Sequence, residues 1–337
     1  MKKLFNLLTL SLLLVACQED GVTVQSNDSQ ASKGFDQSFI KKIEVNFDAG
    51  IQAKRGGKSN NDPVLDFMIQ INAALVGQGI KLEKVEILGV DEAGRTVFFD
   101  DKGSKQIDFD WVPNDPRNNG FGAAVPYWID NTQLGTSSGM SEQATFDAMV
   151  NSMNNWDAVA CSGGLDIPFL FSSDFDIGLV QFFTGFGGSG LVITGAIAHA
   201  GILPAAFFET ALGPGAGTGT LGVTFTFSYG TDIDGNGKGD TALSEIYIND
   251  GFNWQDAPND VLFDVDNAID FETVVLHEVG HGLSQDHFGT AFRDGGSGAL
   301  HFSPAALMNA AYSVGRRDIS GTDEAGYCSN WGVWPNN

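Results

Sequence analysis

Three of the chain's five histidines fall within the eleven residues from His277 to His287, in the run Val275-Leu276-His277-Glu278-Val279-Gly280-His281-Gly282-Leu283-Ser284-Gln285-Asp286-His287. Residues four apart on a helix share a face, so His277 and His281 can offer two imidazoles to one tetrahedral ion, with Glu278 turned toward the open coordination position. His287 completes a three-nitrogen set if the helix ends soon after His281 and the chain turns back, which leaves the fourth position for water. That donor set suits zinc, and a carboxylate beside the water is placed to act as general base in hydrolysis. Asp270 stands as a capping residue ahead of a strongly periodic apolar stretch, so a helix is expected up to His281. The competing reading is a buried amphipathic helix that carries these letters without a metal.

The run resembles the HExxHxxGxxH pattern of metzincin metalloproteases, and of the matrixins among them. Ala306-Leu307-Met308-Asn309-Ala310-Ala311-Tyr312 resembles the matrixin Met-turn, with Met308 underlying the metal and Tyr312 four residues on. More weakly, Val125-Pro126-Tyr127-Trp128-Ile129-Asp130 is similar to the first strand, and Phe146 to Cys161 to the first helix, of bacterial matrixin-like domains. The resemblance implies an α+β, metzincin-type catalytic domain over residues 119–337, with a twisted, mostly parallel sheet, an active-site helix and a Met-turn. It implies a zinc endopeptidase acting on protein or peptide substrates, with Zn2+ on His277, His281 and His287 and with Glu278 as base. An extended substrate should pair with an edge strand, for which Ala196 to Ala200 is the candidate.

Three positions depart from that pattern. Ser284 stands where a glycine would let the chain leave the helix with positive φ, and Gly282 is the alternative site for the bend. Ile197-Ala198-His199-Ala200 resembles the strand that carries a ligand of a second, structural zinc, but Tyr247 stands where another histidine is expected, so His199 reads as a packed strand residue. In Arg317-Asp318-Ile319, Asp318 matches the aspartate that supports the Met-turn, while Arg317 replaces the one that receives a freed N-terminus. Residues 40–118 contain no cysteine, so the zinc-blocking cysteine that matrixin propeptides carry is absent there.

A second metal site is expected at Asp232-Ile233-Asp234-Gly235-Asn236-Gly237-Lys238-Gly239-Asp240. Oxygen-bearing residues at alternate positions with glycine at the bend resemble the first part of an EF-hand loop: Asp232, Asp234, Asn236, the Lys238 carbonyl and Asp240 would hold Ca2+. The final bidentate glutamate is missing, and a plain Asp/Gly turn is the alternative.

The elements that must position these groups follow a leader. Residues 1–17 read as a signal peptide, with Lys2 and Lys3 ahead of an apolar stretch and Leu14-Val15-Ala16-Cys17 resembling a lipobox, which would make Cys17 a lipid anchor. Residues 18–39 read as a flexible tether, and Gln18-Glu19-Asp20 resembles a surface-export signal, so the expected place is the outer membrane or cell surface, held only by the lipid. Residues 40–118 read as a small α/β region, prodomain or accessory module: a helix starts at Asp62-Pro63, strands follow at Lys84 to Val90 and Arg95 to Phe99, and Ile107, Phe109 and Trp111 alternate. Beyond the break at Pro113 to Gly122, Ser141 to Val159 reads as a helix with Phe146, Met149, Val150, Met153 and Trp156 on one stripe. Ile177 to Phe183, Ala196 to Ala200, Val223 to Ser228 and Glu245 to Asn249 read as strands.

With 42 acidic and 18 basic residues, the net charge of -24 would repel a phosphate backbone, which excludes nucleic acid as a partner. Cys161 and Cys328 can pair in an oxidising compartment or stay free. A monomer is expected. The rival to a protease is a catalytically silent, zinc-containing surface binding lipoprotein, against which the intact Glu278 argues.

Overall fold

A computed structural model of the chain describes residues 37–56, 62–100, 109–161, 163–257, 268–319 and 321–336. The signal peptide, Cys17, most of the tether and Ile107 lie outside the described residues. Among those described, no helix is long and apolar enough to cross a membrane.

The N-terminal part begins with β1 (Lys41–Lys42) and α1 (Phe47–Gly56). In α2 (Pro63–Ala74), Asp62 caps the first turn by accepting from the Val64 and Leu65 amides, Pro63 supplies the preset φ, and Val64, Phe67, Met68 and Ile71 are buried. Gly77 and Gly79, both with positive φ, turn the chain into β2 (Lys81–Gly89), which β3 (Thr96–Phe98) and β4 (Phe109–Asp110) follow. Every residue of β2 except Lys81 is buried, on both faces, although Glu83, Lys84 and Glu86 alternate through it.

The chain continues through β5 (Tyr127–Asp130), α3 (Glu142–Asp157) and β6 (Phe169–Ser173). Next come α4 (Leu179–Thr184), β7 (Leu191–Val192), β8 (Ala196–Leu203), α5 (Ala205–Leu212), α6 (Ala216–Gly219), β9 (Thr220–Ser228) and β10 (Gly239–Asn249). The segment Ile177 to Phe183, expected as a strand, is helical from Leu179. The Glu245 carboxylate accepts from the Leu179 and Val180 amides, at 2.6 and 3.0 Å, and the Tyr247 hydroxyl from that of Gln181. These side chains of β10 satisfy the first-turn N–H groups that an apolar run alone could not.

One sheet runs in the order β3-β2-β9-β10-β8-β5-β6, with β4 paired to the start of β10. From β10 to β6 neighbours are parallel; β9 is antiparallel to β10, β2 to β9, and β3 to β2. The fold is α+β with a mixed sheet: β9 is already antiparallel to β10, residues 40–118 add further strands beyond it, and they form one compact unit with the rest of 36–337. The expected edge strand Ala196 to Ala200 lies in β8, inside the sheet between β10 and β5. Ile246 and Ile248 face the core shared with α3, while the intervening Tyr247 meets Phe207 and Phe225 on the opposite face.

The C-terminal part holds β11 (Trp254–Gln255), β12 (Ile269–Asp270), α7 (Phe271–Gly282), β13 (Thr290–Arg293), β14 (Leu300–Ser303) and α8 (Thr322–Trp331). A disulfide joins Cys161, just beyond α3, to Cys328 of α8. Three indoles pin α7 and its exit by donating to main-chain carbonyls: Trp156 to Leu276, Trp111 to Gly282 and Trp331 to Leu283.

Candidate metal centre

α7 starts on Asp270, whose carboxylate accepts from the Thr273 amide and hydroxyl, and all its residues are buried. It ends as a Schellman turn: Gln285 N donates to Gly280 O, Ser284 N donates to His281 O, and Ser284 has φ +61°. Ser284 therefore makes the left-handed bend itself, and Gly282 stays in the helix. The turn brings His287 back over the helix.

The three Nε2 atoms converge, 3.0 Å apart for His277 and His281 and 3.1 Å from each to His287. Three nitrogens around a tetrahedral ion at about 2.0–2.1 Å would stand roughly 3.3 Å apart, so the donor set fits zinc with little movement. The Nδ1 atoms of His277 and His281 donate to the carbonyls of Leu307 and Gln285, at 2.7 and 2.6 Å, which leaves lone pairs on the Nε2 atoms. Burial pushes all three imidazoles below their usual pKa, His281 to about 3, and so favours the neutral, ligating form. Three lone pairs at this spacing repel one another unless a cation stands among them.

Glu278 is buried under β9. Its Oε2 accepts from the Thr224 hydroxyl at 2.7 Å, its Oε1 has no hydrogen-bond partner among the described residues, and burial raises its pKa well above the carboxylate range. Gly222 of β9 makes the room: a Cβ there would lie 2.6 Å from Oε1. Met308 packs beneath the helix against Gly280, where a Cβ would come 2.5 Å from its sulfur.

The turn at Met308 is held by Asp323, not by Asp318 as the resemblance implied. The Asp323 carboxylate accepts from the Leu307 and Met308 amides at 2.9 and 3.0 Å, whereas Asp318 is exposed. Arg317 pairs with Asp270, Asp256 and Glu272, tying the approach to α8 to the cap of α7.

Residues of β2 and β3 also reach the centre, which the sequence reading missed. Glu86 Oε1 lies 3.0 Å from His281 Nδ1, Lys84 bridges Glu86 and Asp286 at 3.0 Å each, and the Thr96 hydroxyl lies 3.5 Å from His287 Nδ1. Burial works to discharge Lys84, but the Asp286 and Glu86 carboxylates outweigh it and raise its pKa. The available signal was Lys84, Glu86 and Leu88 standing two apart, which puts two charges on a face that also carries a core residue.

In the Asp232–Asp240 turn, carboxylate oxygens of Asp232, Asp234 and Asp240 come within 4.8 Å of one another. Asp232 accepts from the Gly235, Asn236 and Gly237 amides, and Asn236 Oδ1 accepts from the Lys238 amide. Asp240 is buried with Oδ1 unpartnered among the described residues, while its other oxygen meets Arg117. Lys238 pairs with Asp110. His199 is buried in β8 beside Tyr127, its pKa lowered to about 3 by burial, and neither cluster of ligand-capable residues includes it.

No protein-family model matches the chain, and no curated protein matches it either.

Proposed function

We propose that the protein is a zinc-dependent endopeptidase of the metzincin, matrixin-like type, carried on the cell surface as a lipoprotein through Cys17. The observation that carries this reading is the convergence of three neutral imidazole nitrogens within 3.1 Å, beside a buried glutamate oxygen without a hydrogen-bond donor among the described residues. Zinc held there would supply Lewis acidity, polarising a peptide carbonyl and lowering the pKa of water toward ~7. Glu278 Oε1 takes the proton of the attacking water and passes it to the leaving nitrogen, while Thr224 holds Oε2 and so fixes the carboxylate. Calcium in the Asp232–Asp240 turn belongs to the same proposal: the unpartnered Asp240 Oδ1 is a buried oxygen with an incomplete set of partners.

The test separates metal binding from chemistry. Glu278→Gln keeps the shape of the side chain but removes the base, so it should retain about one zinc per chain while peptide hydrolysis falls by at least ~10²-fold. His281→Ala should lose both. With the N-terminal region removed from both so that β2 does not obstruct the centre, equal and measurable hydrolysis by the Glu278→Gln protein and its parent would end the mechanism.

The silent-binder reading draws on one observation: β2 lies across the centre, and the cavity left between it and His277 is ≈ 10 Å³.

A further inference from the structure

β4 reaches the acidic Asp232–Asp240 turn from the N-terminal part of the chain. It pairs in parallel with the start of β10, which sets Asp110 beside Asp240, two aspartates distant in sequence on neighbouring strands. Both are buried, Asp110 8% and Asp240 0% exposed, and in each the Oδ1 atom has no hydrogen-bond partner among the described residues. A carboxylate oxygen left unpartnered at that depth is costly, and a cation removes the cost. Asp240 Oδ2 meets Arg117, while Asp110 Oδ2 accepts from Lys238 Nζ at 2.9 Å and from Asn236 Nδ2 at 3.1 Å. The same Asn236 Nδ2 donates to Asp234 Oδ2 at 3.0 Å, so Asp110 and Asp234 face each other across a single amide nitrogen. Asn236 Oδ1 accepts from the Lys238 amide at 2.8 Å, so the turn presents a nitrogen to the carboxylates where the sequence places an oxygen ligand.

We infer that Asp110 is a calcium ligand, supplying from β4 the carboxylate that the Asp232–Asp240 turn lacks, so that one ion joins the N-terminal strand to β10. This deepens the calcium reading of the turn and rests on it. Carboxylate oxygens of Asp232, Asp234 and Asp240 lie within 4.8 Å of one another, the span of a shell about 2.4 Å in radius. With Asp110 and Asp115, five carboxylates stand against two cations, Arg117 and Lys238. Burial raises the Asp110 pKa and Asp234 adds to it, against the Lys238 and Asn236 contacts. A divalent ion offsets that excess of negative charge, and donors that are all oxygen suit a hard cation. The Lys238 ammonium is the competitor: it is part-exposed and leaves Asp110 when the ion enters, while the Lys238 carbonyl stays in the turn. Trp111, next to Asp110, donates to the Gly282 carbonyl, so an ion on Asp110 also steadies the residue that pins the end of α7.

The test titrates calcium, followed by the heat of binding, into full-length protein stripped of metal and given back zinc alone. Asp110→Asn keeps the shape of the side chain and removes its charge, and should weaken calcium by at least ~10-fold, because affinity at oxygen sites follows ligand charge. Lys238→Met leaves every carboxylate in place and frees Asp110, and should tighten calcium by about threefold, the size of one part-exposed ion pair. In a protein that also carries Asp110→Asn, that gain should vanish. Asp318→Asn makes the same charge change at an exposed position and should bind calcium like wild type. Each variant is checked for a cooperative unfolding transition, and if Asp110→Asn lacks one, Lys238→Met decides: no tightening overturns the proposal. Equal weakening by Asp318→Asn overturns it too, since net charge alone would then explain the loss. Wild-type affinity in Asp110→Asn, with binding lost in Asp234→Ala, overturns the cross-strand ligand and leaves calcium in the turn. No calcium binding by wild type removes the calcium reading and this inference with it.

Discussion

Asp323 sits two hydrogen bonds from the metal centre, and removing it should loosen a ligand that it never touches. Its carboxylate accepts from the amides of Leu307 and Met308, and the Leu307 carbonyl accepts from His277 Nδ1. Burial raises the Asp323 pKa against the effect of those two amides, so the ionised group pays a desolvation cost that its bonds only partly offset. Asp323→Ala leaves two buried N–H donors without an acceptor at about 1–3 kcal/mol each, less the relief of no longer burying a charge, or about 3 kcal/mol in total. For a folded region of this size that lowers the thermal midpoint of the metal-free protein by about 6 °C. Because the Leu307 peptide also orients His277, zinc affinity should fall by at least ~10-fold, the usual lower bound for losing an outer partner of a ligating histidine. Competition against a fluorescent zinc chelator reads the affinity, and thermal unfolding of the metal-free form reads the stability. Asp318→Ala, at the exposed position, should stay within ±0.5 kcal/mol and keep its zinc affinity. If Asp323→Ala binds zinc like wild type, or if Asp318→Ala weakens it equally, the chain from α8 through the Met-turn to His277 does not position the ligand.

Burial raises the Asp130 pKa to about 6 against amide donors from Ile177 and Thr132, so the native state holds that proton more tightly than the unfolded chain. The stabilisation is complete below pH ~4 and lost as pH rises through ~6, about 3 kcal/mol in all, and Asp130→Asn should flatten that slope in urea unfolding series; an unchanged slope refutes the assignment. Protein stripped of metal and given back zinc alone should gain several degrees in midpoint on adding calcium, and Asp234→Ala should abolish the gain; the same midpoint with and without calcium would leave a plain turn. Cys17→Ser should shift the protein from the membrane fraction to the soluble one, and retention with membranes would remove the lipid anchor.

The convergence of the three histidines was legible because its logic is local. A spacing of four on one helix, a cap at Asp270 and a turn that needs positive φ are properties of short segments, and each stands where the spacing puts it. α3 was equally plain from its stripe and from Ser141, which caps it. What failed depends on contacts distant in sequence. The Ile177 to Phe183 run reads as a strand until Glu245 and Tyr247, more than sixty residues away, supply its helical cap. Asp318 looked right by its neighbours, but Asp323 is the residue that α8 presents to the Met-turn. β2 was found as a strand, yet no role was assigned to its Lys84 and Glu86, because Asp286 and His281, which enclose them, lie some two hundred residues on.

The same long-range pairing governs what could replace β2. Withdrawing it would strip β9 of its partners on that side and leave the Tyr312 amide without its acceptor, while the Ala310 carbonyl would keep the Gly94 amide. An exposed edge of that kind is costly and prone to pair with another chain. A small polar molecule cannot restore a run of main-chain bonds, and a folded surface cannot enter a space one strand wide. His277, His281 and Glu278 meanwhile stay fixed by α7 and the indoles that pin it and its exit.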